Sequence, residues 1–364
     1  MVNHVLSRKV GLSLKLVSVL MVLLFITLPL TLSAATDQGN GERAVIVPNP
    51  GADLWRQVRQ RDMAIEGTSQ IKGVDSSILI NPQADRWTRF RVGKLVEYGQ
   101  ILLVAVAALI LLFYALRGKV NIEGGLSGKM VFRFSDYERV LHWVLAIVFL
   151  FLAVTGLIIL FGRTILIPVF GHEVFSLLAS SSKEGHNLFG PIFLVSLLLM
   201  LFSFVKRNIY ARGDMTWLLK GGGMIGKSHV SGGFFNMGEK TWYWIVILIG
   251  LVISVSGLIL VSPNFGQGRV IMALSHVVHA SAAILLIAIS FGHMYLATAG
   301  TEGTKEGMKT GYVDISWAEA HHDRWAKQCH EDGKIISAED YARLQGNLES
   351  SLTTGTPVTT EEGK

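Results

Sequence analysis

The chain has 364 residues, 50% of them hydrophobic and only 16% charged, with a mean hydropathy of +0.44; this balance excludes an ordinary soluble domain and makes a membrane protein the starting assumption. Its net charge of +6 comes from lysines and arginines scattered through short loops rather than clustered with aromatics on one face, which argues against a nucleic-acid surface. Cys329 is the single cysteine, so disulfides, zinc knuckles, iron–sulfur clusters and covalent c-type haem attachment are excluded within the chain, and any metal must be held by nitrogen or oxygen.

Residues 1–35 place Arg8, Lys9 and Lys15 before an apolar run that ends in Ser33, Ala34 and Ala35, the layout of a secretory signal peptide. The apolar core is long for a signal, so an uncleaved anchor is the competing reading; both put the following segment outside the cytoplasm. Residues 36–94 are polar, with turn signals at Pro48, Pro50, Gly51, Gly73 and Pro82, and predict a small periplasmic module. The alternation SSILIN at Ser76 to Asn81 predicts a strand there. The module's carboxylates Asp53, Asp62, Glu66, Asp75 and Asp85 form no catalytic constellation and are expected to be solvated.

Five apolar stretches follow, near 96–116, 140–161, 186–205, 242–261 and 270–299, each about the 20 residues that a helix needs to cross the hydrocarbon core. The loop between the first two carries Arg117, Lys119, Lys129, Arg133 and Arg139, and the loop between the third and fourth carries Lys206, Arg207, Arg212, Lys220, Lys227 and Lys240. The other two loops hold Arg163 and Lys183 in one and Arg269 in the other. By the positive-inside rule, the rich loops and the tail from residue 301 are cytoplasmic, in agreement with the N-terminal signal.

The fold class is therefore an all-α membrane protein. A four-helix transmembrane bundle spans 133–300, preceded by an extra span at 95–117 and the periplasmic module, and followed by a cytoplasmic tail at 301–364.

Three histidines interrupt the last span, which reads SHVVHASAAILLIAISFGHMY from Ser275 to Tyr295, and imidazole in hydrocarbon needs a partner. His279 and His293 are 14 residues apart, within about 40° of one another around the helix and about 21 Å apart along it. His276 is rotated roughly 100° from His293 and is assigned to the interface. His142 in ERVLHW opens the second span level with His293, and His186 in EGHNLFGP opens the third span level with His279.

Four imidazoles thus form two cross-helix pairs, one near each face, as two six-coordinate b-type haems require. For any single intramembrane histidine, a hydrogen bond within the bundle is an equal explanation; the match in depth favours ligation. His172 and His229 fall in loops, and His321, His322 and His330 in the polar tail, where solvent is the expected partner. Thr155-Gly156 and Ser256-Gly257 recur as small-Gly-Leu-Ile, and Gly190 and Ala283 follow two of the histidines by four residues. Either room for a macrocycle or ordinary small-residue helix packing accounts for them.

With these motifs in place, the segment from Arg133 to Gln328 resembles the gamma, or cytochrome b, subunit of respiratory formate dehydrogenases. RFSDYERVLHW, GHNLFGP, NMGEKTWYW, HASAAILLIAISFGHMY and the tail GTKEGMKTGYVDISWAEAHHDRW carry the resemblance. It implies two haem b groups, on His142 with His293 and on His186 with His279. It also implies a quinone site near the cytoplasmic face, built from Asn236, Gly238, Glu239 and Lys240 and approaching His293. The partners implied are an iron–sulfur beta subunit and a molybdenum or tungsten catalytic alpha subunit, in a bacterial inner membrane.

No residue of this chain is expected to be catalytic toward formate. The N-terminal extension departs from the family's shorter form and is read as docking the extracytoplasmic partner or an assembly factor. The paired histidines alone also fit the cytochrome subunit of a hydrogenase or a thiosulfate reductase. A haem-free proton-relay transporter and a non-catalytic membrane anchor are the readings from other classes.

Overall fold

The computed structural model describes the backbone of residues 65–66, 78–80, 82–220 and 231–354, and side chains over 86–220 and 231–346. The signal segment, most of the 36–94 module and His229 lie outside the described residues. Within the unit that includes residues 76–82, strand β2 (Ile78–Ile80) pairs antiparallel with β1 (Ile65–Glu66). A strand therefore stands within SSILIN.

The second unit is almost entirely helical. Its first long helix, α1 (Leu95–Arg117), is preceded by a π-helical turn at Phe90–Lys94 and a short helix at Pro82–Arg89. Next comes α2 (Asp136–Phe204), opened by a capping box in which Ser135 and Glu138 satisfy one another's backbone amides. Gly171 breaks α2 at φ 77° and ψ 174°, a conformation open essentially to glycine alone.

At that break the chain doubles back. Tyr137 meets Ser203 at 3.2 Å, the Phe151 and Phe189 rings lie 4.6 Å apart, and Gly162 faces Phe175. These pairs are nearly symmetric about Gly171, as an antiparallel helical hairpin demands. The second and third predicted spans are thus the two arms of α2, and the loop expected between them is helix; His172, assigned to a loop, stands in the second arm. A second hairpin joins α4 (Met237–Val261) to α5 (Arg269–Tyr295) through residues 262–268. Both reversals lie at one end of the bundle, here called the hairpin end.

Among the described residues, four helical segments are long and apolar enough to cross a membrane, Arg86–Arg117, Asp136–Asn208, Met237–Val261 and Arg269–Gly300; the second holds both arms of α2. The bundle core includes Leu141, Leu145, Val148, Phe193, Leu197, Tyr243 and Ile247. Helix α1 packs on α5 through a satellite cluster of Leu95, Val96, Phe161 and Ile284, where Gly99 lets the Ile284 side chain approach. Its remaining surface stays apolar and exposed, with Val104, Leu109, Leu111 and Leu116, as a lipid-facing helix requires.

The opposite end carries a folded cap. Strand β3 (Met130–Phe132), which precedes α2, pairs antiparallel with β4 (Tyr312–Asp314) and with β5 (Ile335–Ile336), both beyond α5. After a short helix α6 (Glu306–Thr310), helices α7 (Ile315–His321) and α8 (Asp323–Glu331) pack on this sheet through Val131, Val313, Trp317, Ala318, Trp325 and Cys329. Asp314 binds the sheet to its flanking loop, accepting from the amides of Ser127, Gly128 and Ser316. The tail is therefore not a solvated strand of charge: Cys329 is buried and His322 is 0% exposed. Burial corrects the expectation that solvent is the partner of His322.

Candidate functional site

Two helices meet at each imidazole pair. Near the hairpin end, His186 from the second arm of α2 faces His279 from α5, with ring centroids 6.0 Å apart and planes 72° to one another. The Thr155 hydroxyl donates to the Phe151 carbonyl at 2.8 Å, so its oxygen accepts from His186 Nδ1 at 2.9 Å. Ser256 repeats the arrangement: it donates to the Val252 carbonyl at 2.7 Å and lies 3.2 Å from His279 Nδ1. His279 Nδ1 also donates to the Ile253 carbonyl at 2.9 Å. Because Nδ1 carries the hydrogen in both rings, each Nε2 keeps its lone pair.

Gly156 and Gly257 complete this pocket. A Cβ at Gly156 would stand 3.2 Å from His186 Cε1, and one at Gly257 would stand 3.0 Å from His279 Cε1. The small-Gly recurrence noted in the sequence therefore seats the imidazole rings themselves, with the hydroxyl as acceptor and the glycine as clearance. Gly190 has open space where its side chain would be.

Near the cap end, His142 from the first arm of α2 faces His293 from α5, with centroids 6.4 Å apart and planes at 61°. Here the surroundings differ. His142 Nδ1 is buried without a hydrogen-bond partner among the described residues. The Trp242 indole stacks on His293 at 4.7 Å and 14°, a contact that no spacing within one helix announces. Trp143 ties the same end to the cap through Nε1, which donates to the Met308 carbonyl at 3.0 Å.

Both pairs suit a single metal held between them. Two imidazole nitrogens, each about 2 Å from a metal on opposite sides, place the ring centroids about 6 Å apart. Among the described residues no group of three His, Cys, Asp or Glu side chains is arranged to hold an ion, so a metal in either pair would need its other donors from a bound group. A haem would meet that need with four nitrogens of its own, and each histidine pair would hold it through its two imidazoles.

The predicted quinone turn opens α4 at the cap end. Asn236 is its N-cap: Oδ1 accepts from the Glu239 amide at 3.0 Å, and Glu239 accepts from the Asn236 amide at 3.0 Å. The Asn236 amide group keeps its donors, about 9 Å along the helix axis from Trp242. Gly238 gives room to Trp217, whose ring lies 2.7 Å from where a Cβ would be. Lys240 is paired with Asp214 of α3 (Asp214–Leu219) at 2.7 Å, both side chains buried.

Glu239 belongs to a larger cluster. Arg133, 4% exposed, donates to Glu239 at 3.0 Å and to the Phe234 carbonyl at 2.8 Å, inside a cage of Phe134, Phe234, Phe235, Trp317 and Trp325. Its Nη1 also donates to His322 Nε2 at 3.2 Å, and His322 Nδ1 donates to the Gly233 carbonyl at 2.8 Å. His322 is therefore a neutral linker, and its 3.6 Å approach to Glu239 is not an ion pair. Burial, then the neighbouring Arg133 charge, holds the His322 pKa well below the ordinary imidazole value. Sequence places Arg133 among the positive charges of the loop before α2; only the folded tail shows what it binds.

The model of the prokaryotic cytochrome b561 family matches residues 133–311, both histidine pairs included. The chain is 31% identical over 206 residues to the cytochrome b556 subunit of the nitrate-inducible formate dehydrogenase of Escherichia coli, covering 55% of this chain and 92% of that one. A second Escherichia coli formate dehydrogenase cytochrome b556 subunit is 28% identical over 202 residues, covering 54% and 92%. The Haemophilus influenzae formate dehydrogenase cytochrome b556 subunit is 24% identical over 207 residues, covering 54% and 83%.

The chain belongs to the family of formate dehydrogenase cytochrome b subunits. As a membrane cytochrome b it serves electron transfer within an oxidoreductase complex, and the family implies haem b as its cofactor. The family model's match, residues 133–311, begins after α1 and contains both arms of α2, α4 and α5.

Proposed function

We propose that this cytochrome b subunit carries electrons across a bacterial inner membrane, from an iron–sulfur subunit on the periplasmic side through two haem b groups to quinone near the cytoplasmic face. A molybdenum or tungsten subunit would oxidise formate outside, and this chain would be the wire. The observation that carries the reading is the pair of cross-helix imidazole contacts, 6.0 Å and 6.4 Å between centroids. Bound haem supplies one-electron exchange at each end of the bundle.

The protein's own residues account for the rest. His186 and His279 would hold the outer haem, and His142 and His293 the inner one; a haem held by two imidazoles would exchange electrons rather than bind oxygen. The lysine- and arginine-rich segments 117–139 and 206–220 flank the cap end, which supports a cytoplasmic cap and a periplasmic hairpin end. Asn236 offers its amide donors to a quinone oxygen, and Glu239, 35% exposed in its side chain, stands between solvent and that turn as a route for protons.

A reduced-minus-oxidised optical spectrum with haem quantitation tests this on the purified chain and on His279→Ala and His293→Ala. Two haems per wild-type chain are expected, with a different one lost in each variant. A well-folded wild type without haem overturns it.

A further inference from the structure

The two histidine pairs are alike in ring spacing and unlike in what holds the rings. At the hairpin end both Nδ1 atoms donate to acceptors, His186 to Thr155 and His279 to Ile253 and Ser256. At the cap end His142 Nδ1 is buried with no hydrogen-bond partner among the described residues, and His293 is backed by the face of Trp242. A hydrogen bond accepted from the distal ring nitrogen pushes electron density toward the ligating nitrogen and raises its basicity. A more basic ligand stabilises the oxidised, more positive iron over the reduced one, which lowers the reduction potential.

We propose that Thr155 and Ser256 are positioning residues that set the haem at His186 and His279 below the haem at His142 and His293 in reduction potential, so that the direction of electron flow is built into the hydroxyls of the bundle. The inference rests on the function proposed above. One electron leaves the outer iron as one reaches the inner iron, with no proton moved and no bond made. The same two hydroxyls fix the Nδ1–H tautomer and the ring plane, and Gly156 and Gly257 give the rings the clearance to take it. On His279 the Ile253 carbonyl, at 2.9 Å, is closer than Ser256 at 3.2 Å, whereas on His186 Thr155 itself stands at 2.9 Å; the two hydroxyls therefore differ in weight.

The test is a potentiometric titration of the intact, haem-loaded protein followed in the optical α-band, with each component assigned through His186→Ala and His142→Ala. In the wild type the lower-potential component should be the one that His186→Ala removes. Thr155→Val should raise that component alone, by about tenfold in the one-electron equilibrium, or about 59 mV. Ser256→Ala should raise it less because the Ile253 carbonyl remains, and Thr155→Ser should restore the wild-type value.

If Thr155→Val sheds haem, Ser256→Ala and the wild-type order still decide the matter. A lower-potential component lost in His142→Ala, or one that neither hydroxyl variant moves, overturns the inference while leaving two haems in place. A wild type without haem removes the functional reading and this inference together.

Discussion

Lys240 and Asp214 meet at 2.7 Å with side-chain exposures of 7% and 2%, and Lys240 also donates to the Ile209 carbonyl at 3.0 Å. An ion pair so far from water is a weak source of net stability, yet removing one partner strands the other charge. Lys240→Met should therefore destabilise the cap end by about 3–5 kcal/mol, and Lys240→Met with Asp214→Leu should recover most of that loss. Chemical denaturation of the two variants in detergent measures the difference. Equal loss in both would mean that the pair is held for something other than mutual neutralisation. The same reasoning applies to Arg133, whose charge is matched by Glu239 and by the faces of five aromatic rings.

At the scale of elements, α2 is the informative case. Hydropathy separates its two arms into two spans but assigns a loop between them, because Arg163, Lys183 and Glu184 interrupt the apolar run. The chain stays helical through that stretch and turns on one residue. A Cβ at Gly171 would meet nothing within 4 Å, so Gly171→Ala suffers only the backbone penalty of φ 77°, about 1–3 kcal/mol. Thermal unfolding should show that loss, and Gly171→Asn should lose a similar amount, because ψ 174° lies outside the left-handed helical region that asparagine tolerates. Gly257→Ala is the opposite kind of substitution: its backbone is helical and its added methyl meets His279 at 3.0 Å. It should disturb the histidine pair, read as altered haem content, more than it disturbs unfolding.

At the scale of the whole molecule, the cap closes over one end of the bundle through residues from both sides of it in sequence. Arg133 precedes α2, Glu239 opens α4, and His322 follows α7. The neutral state of His322 makes this closure sensitive to acid. Its folded pKa lies well below 6.5, from burial first and from Arg133 second, whereas unfolding returns it to the ordinary value. The unfolded chain then binds a proton that the folded chain refuses, so this part of the stability is full above about pH 6.5 and falls as pH drops toward the folded pKa. His321, also held below 6.5 by burial, adds in the same direction. Hydrogen-exchange protection over residues 312–330, taken relative to the intrinsic amide rate at each pH, should be lower at pH 5.5 than at 7.5, and His322→Gln should shrink that difference. An unchanged difference would place the acid sensitivity elsewhere.

Sequence by itself determined the spans, the pairing of His142 with His293 and of His186 with His279 in depth, and the resemblance that named the family. Helical geometry fixes the spacing of two histidines on one helix, and the length of a bilayer crossing fixes which other histidines can stand level with them. Only the tertiary structure decided what supports those rings. Thr155 reaches His186 across a hairpin 31 residues long, Trp242 reaches His293 across α4 and α5, and Arg133 reaches His322 across the entire bundle. Such contacts depend on how helices rotate and pack against one another, which periodicity along a single chain segment does not encode. The burial of the tail came from the same source, because β3 finds β4 and β5 only after four membrane crossings have brought residue 130 beside residue 314.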